Sequence, residues 1–138
     1  LKKLSPMSAF KLQKLVYYCQ AWSLVWDGKP LFYEKIQAWV NGPVVRALYD
    51  AHRGKFEVTS RTFNKGSIQK LLPEQRETID AVLKFYGDKS PQWLSDLTHM
   101  EEPWKKARKG LPPDVRSEAE ITLKSMAGYY ERIQSKKH

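Results

Sequence analysis

The sequence predicts a mainly α-helical, compact single domain of about five to seven helices, with room for one small antiparallel β-hairpin. Three observations predict it. From Leu15 to Trp26 there is no charge, and apolar side chains occupy both faces of a helical wheel, the pattern of a central packed helix. A capping residue followed by Pro recurs at Gly42-Pro43 and Ser90-Pro91, each marking a helix start. Strand-like patterning is confined to two short stretches, 34–40 and 55–63.

The first helix is expected from Ser8, whose hydroxyl can cap the first turn, to the Asp27-Gly28 turn pair. Leu12, Leu15, Val16, Cys19, Trp22 and Trp26 share one face, while Tyr17, Ala21, Leu24 and Val25 lie opposite. Lys29-Pro30-Leu31-Phe32 reads as extended, and Glu34 to Val40 alternates like a short strand. Its expected partner is the 55–63 stretch, with Phe56, Val58, Thr59, Thr62 and Phe63. Asn41-Gly42-Pro43 is expected to open a second helix with Val45, Leu48, Tyr49 and His52 inward, stopping at Arg53-Gly54. After a polar connection over 62–71, Pro73, Glu74 and Glu77 start a helix whose buried face is Ile79, Val82, Leu83 and Tyr86. Ser90-Pro91 begins a short helix carrying Trp93, Leu94 and Leu97, and Pro103 begins a turn with Trp104 and Ala107, closed by Gly110. Thr122 caps the last helix, with Ile121 and Met126 as a hydrophobic staple and Leu123, Met126, Ala127, Tyr130 and Ile133 as its stripe.

At 138 residues, without an internal repeat or low-complexity segment, the whole of 1–138 reads as one domain with enough chain for its own core. Cys19 is the single cysteine, so an intramolecular disulfide and a multi-thiolate zinc site are excluded, which suits a reducing, cytoplasmic setting. No run reaches the length of a transmembrane helix, and the start lacks the apolar core of a signal peptide, so no membrane association is expected. Leu1 in place of Met is compatible with residues preceding it. The net charge of +9 favours acidic partners and raises the question of nucleic acid. Its densest cluster, Lys105, Lys106, Arg108 and Lys109, follows Glu101 and Glu102 and reads as a solvated surface.

A catalytic constellation is not evident. Cys19 lies on an apolar stripe, the setting of an inert thiol, and His52 and His99 are far from it in sequence. His99-Met100-Glu101-Glu102 matches no helical metal signature, and Gly42 stands alone before Pro43 rather than in a phosphate loop. The expectation is no enzyme activity, no cofactor and no metal.

Several separated blocks in one order carry a resemblance. Lys11-Leu12-Gln13-Lys14-Leu15 with Tyr17-Tyr18, Gly28-Lys29-Pro30-Leu31-Phe32, Ile36-Gln37-Ala38-Trp39, Gly42-Pro43-Val44 and Tyr49 are followed by Leu94 to His99, Pro103-Trp104, Ala107-Arg108, Ile121-Thr122-Leu123 and Tyr129-Tyr130. In this the chain resembles the Panacea domain, the SocA-like antitoxin family. The resemblance implies a mostly helical antitoxin of bacteria and their phages, usually encoded beside a toxin that it neutralises by direct binding. Two departures are a further helix that members commonly carry before the region matching Ser8, and the toxin-selecting extensions of many members; neither is evident here. Partner-binding anchors expected on this basis are Tyr17, Trp39, Arg46, Tyr49 and Trp104, aromatic and Arg side chains being the usual hot spots. The implied partner is a cognate protein toxin. One relative acts as an adaptor that delivers its toxin to a protease, which is the alternative reading. A nucleic-acid-binding regulator is the rival from another class and is disfavoured; a homo-oligomer is compatible with the sequence.

Overall fold

The computed structural model describes residues 7–53, 57–58 and 72–136. Helix α1, Ala9–Trp26, runs through the middle, and its two apolar faces are covered except at the last residue, Trp26, which is exposed. Leu12, Leu15, Cys19 and Trp22 are buried on one side, Tyr17 and Ala21 on the other. Ser8 Oγ accepts from the Lys11 amide at 3.1 Å, fixing the start of the helix, and Gly28 at φ +70° follows its end. Against α1 pack α3 (Pro73–Tyr86), α4 (Pro91–Met100) and α6 (Leu123–Lys136). Helices α2 (Arg46–His52) and α5 (Glu102–Ala107) are short, giving six helices among the described residues. The fold is mainly α, with a three-stranded antiparallel sheet of order β3-β2-β5.

The sheet departs from the sequence expectation in both of its partners. Strand β2, Ile36–Trp39, pairs with β3, Gly42–Val45, and with β5, Glu120–Ile121, in the registers Trp39↔Gly42 and Ile36↔Ile121. Pro43 therefore opens no helix; it lies in a strand, and α2 begins at Arg46. A two-residue turn at Val40-Asn41 returns the chain directly onto β2, with Gly42 supplying the φ of +122° that a larger residue resists. β3 is an edge strand, the place in a sheet where Pro is tolerated. Of the expected partner stretch, Glu57–Val58 form β4, which pairs with β1, Met7–Ser8, and not with β2. The rest of that stretch, and the 62–71 connection, lie outside the described residues.

Side chains of α1 cover the free edge of β3. Gln13 Oε1 accepts from the Val45 amide at 2.8 Å while its Nε2 donates to the Val45 carbonyl at 3.3 Å, so one amide side chain imitates a neighbouring strand. Lys14 Nζ donates to the Pro43 carbonyl at 3.0 Å. One helix turn pair further on, Gln20 treats the extended 31–32 segment likewise, accepting from the Leu31 amide at 2.7 Å and donating to the Phe32 carbonyl at 2.8 Å. These buried polar groups satisfy backbone that would otherwise be left unpaired in the interior.

The remaining helices begin close to where their caps place them. Ser90 Oγ accepts from the Trp93 amide at 3.0 Å and Thr122 Oγ1 from the Ser125 amide at 3.1 Å. Ile121 and Met126 are both buried, as the staple requires. Two stripe residues are not inside: Trp93 is 41% exposed and Leu123 39%. Arg108 departs the other way. Expected on a basic surface, it is buried at the end of α5, donating to the Ala38 carbonyl at 3.1 Å and, through Nη2, to Pro112 and Val115 of the following loop.

Candidate functional site

The carboxyl-terminal half of α1 meets α3, α4 and α6 around a cluster of rings. Tyr18 stacks on Tyr86 with centroids 4.2 Å apart, Trp22 Nε1 donates to Tyr86 Oη at 3.0 Å, and the Tyr17 and Tyr130 hydroxyls lie 3.1 Å apart. Glu101 Oε1 accepts from Tyr18 at 2.7 Å and from Tyr130 at 2.6 Å. Burial raises the Glu101 carboxyl above its usual range, against the two tyrosine donors that favour its ionised form. Outside this ordered layer lie two clefts of about 270 and 300 Å³ that share Trp22, Phe85 and Tyr86 as walls. Around them stand the most exposed large apolar groups of the neighbourhood: Phe85 at 56% and Met100 at 65%, with Trp26 and Trp93. Lys89 Nζ rests 5.2 Å from the Trp93 ring. Rings and a thioether exposed side by side on three helices form a contiguous apolar face, the kind of surface that marks protein contact.

The amino-terminal half of α1 borders a different feature, a cavity of about 410 Å³. Its walls include Phe10, Gln13 and Lys14 of α1, Trp39 of β2, Tyr49 and His52 of α2, and Arg116 to Glu118 of the connection before β5. Gln13 Nε2 lies 2.8 Å from His52 Nε2, and since the amide nitrogen is a donor, His52 accepts there and carries its proton on Nδ1. Burial, then the charge of Lys14, lowers the His52 value. Burial alone lowers the Lys14 amine to about 7.

The five expected anchors divide between core and surface. Tyr17 and Trp104 are buried, at 1% and 5% exposure; Trp104 Nε1 donates to the Trp39 carbonyl at 2.7 Å. Trp39, Arg46 and Tyr49 are brought together: the two rings meet edge to face at 4.9 Å, and the Arg46 guanidinium lies 5.9 Å from Trp39. Of these Arg46 is exposed and pairs with Asp50 at 3.5 Å, while the rings are half-buried at the cavity. Sequence reasoning missed the Phe85, Trp93 and Met100 face. The signal was present in Phe85-Tyr86, where Tyr86 completes the single apolar stripe of its helix with Ile79, Val82 and Leu83, and Phe85 falls off that stripe.

Cys19 is buried and its thiol is raised to about 12 by burial. His99 is held by main-chain oxygens, with Ser95 O 2.6 Å from Nδ1 and Val40 O 2.7 Å from Nε2. Among the described residues no three His, Cys, Asp or Glu side chains are grouped to hold a metal, and no helix is long and apolar enough to cross a membrane.

A family model described as Antitoxin SocA-like, Panacea domain, matches residues 12–105. That span takes in most of α1, the β2–β3 hairpin, α2, α3, α4 and most of α5. No curated protein and no solved structure matches the chain.

Proposed function

Because the chain belongs to the Panacea-domain family of SocA-like antitoxins, we propose that it neutralises a cognate protein toxin by binding it directly through the apolar face of α1, α3 and α4. The observation that carries the contact assignment is the exposure of Phe85, Trp93 and Met100 beside two clefts. Aromatic and Met side chains supply large contact area with adaptable fit. The action is occlusion or sequestration of the toxin and draws on no catalytic group of this chain.

Co-expression with the product of the adjacent gene tests the reading, with growth rescue and co-purification scored together. Rescue with a stable complex supports it; rescue with disappearance of the toxin supports delivery to a protease instead. A harmless neighbour that does not co-purify overturns it. Within a complex, Phe85→Ala and Trp93→Ala should each weaken binding by at least about 2 kcal/mol while circular dichroism stays that of the wild type.

A further inference from the structure

The cavity beside the amino-terminal half of α1 takes no part in that docking, and its wall holds a cation without a counter-ion. Lys14 is 1% exposed, and among the described residues it meets the Pro43 carbonyl and the Phe10 ring, 4.5 Å from Nζ, but no carboxylate. An ammonium has three N–H donors, so the Pro43 bond leaves two unspent. Burying such a charge is costly unless something supplies acceptors and opposite charge.

The other polar groups of the wall do not supply them. The Gln13 amide is engaged by Val45 and His52. His52 and Tyr49 line the same space, and neither hydrogen-bonds to Lys14. Glu118, the carboxylate that lines the cavity, lies 3.9 Å from Arg46. Arg116 adds a second cation with no ion pair among the described residues. Phe10, Trp39 and Tyr49 add three rings to a wall completed by Val40, Asn41, Val44 and Ser117, and about 410 Å³ is the size of a small-ligand pocket.

We propose that this cavity binds a small anion carried on a flat ring, an aromatic or heteroaromatic carboxylate or phosphate, with the anionic group at Lys14 and Arg116 and the ring against Trp39 and Tyr49. Such an anion supplies the missing acceptors and favours the ammonium form of Lys14. Because burial leaves the free amine near half-neutral at about pH 7, ligand binding above that pH takes up a proton.

Titration calorimetry of the full chain at pH 8 tests this, using indole-3-acetate and adenosine 5′-monophosphate with indole-3-acetamide and adenosine as uncharged counterparts, in two buffers of different ionisation heat. At least one anion is expected to saturate below about 1 mM, roughly tenfold or more tighter than its counterpart. Proton uptake should approach about one per ligand. Lys14→Met and Arg116→Gln should each weaken it about tenfold or more, whereas Phe85→Ala, on the docking face, should not. Equal binding of charged and uncharged forms, no saturation by roughly 10 mM, or unchanged affinity in Arg116→Gln would overturn the proposal. Arg116 is exposed, so that variant decides the matter even if Lys14→Met does not fold.

Discussion

At Gly42 an added methyl group would lie 2.6 Å from Lys14 Cε and 3.0 Å from Thr98 Oγ1, on a backbone already at φ +122°. Gly42→Ala is therefore expected to cost roughly 2–4 kcal/mol in denaturant unfolding, from strain and displaced packing together. Lys14 carries a pH signature. Its folded value of about 7 is below the unfolded 10.5, so the unfolded chain binds more protons between them and stability rises with pH there. Unfolding measured from pH 7 to 9 should show that rise, and Lys14→Met should flatten it. Glu101 has the opposite sign: with its folded value raised, its stabilisation is full below the usual Glu range and declines as pH climbs through the folded value. Glu101→Leu strands the Tyr18 and Tyr130 hydroxyls at a cost of about 1–3 kcal/mol each, while Glu101→Gln keeps an acceptor and should cost far less.

Helix starts at Ser8, Ser90 and Thr122 were legible in the sequence because a cap and the amide it satisfies lie three residues apart. The central position of α1 was legible too, since an uncharged helix with two apolar faces has no side to give to water. What pairs with β2 was not: its hairpin hides behind a Gly-Pro that also opens helices, and β5 comes from 85 residues further on in the register Ile36↔Ile121. Gln13 and Gln20 were illegible as docking residues for a related reason. A polar letter on an apolar helix breaks the period without saying which distant backbone it will meet, and Val45 lies 32 residues from Gln13. Gln20→Leu keeps the volume but removes the partners of Leu31 and Phe32, so it should destabilise by about 2–3 kcal/mol and speed hydrogen exchange at those two amides.

Across the molecule, the net charge of +9 predicts that encounter with an acidic partner slows as salt is added. Stopped-flow association with an acidic protein partner should be markedly slower at 0.5 M than at 0.05 M salt, roughly the range over which screening shortens to a few ångströms, with dissociation little changed. The aromatic face was only half legible at this scale. Abundant rings were plain in the composition, but which of them face water depends on how α3 and α4 are rotated about α1, and two of the five expected anchors, Tyr17 and Trp104, belong to the interior.

The place of Tyr130 in the ring cluster sets an order of events in the cell. α1 is made well before α6, yet Tyr17 and Tyr18 gain their α6 partner, and β2 gains β5, only once synthesis has passed Tyr130 and Ile121. Long-range closure of this kind is slow to begin and completes late. A nascent or truncated chain ending before Ile121 lacks that closure and exposes the rings it would cover, so the packed domain becomes available only after β5 and α6 have been made.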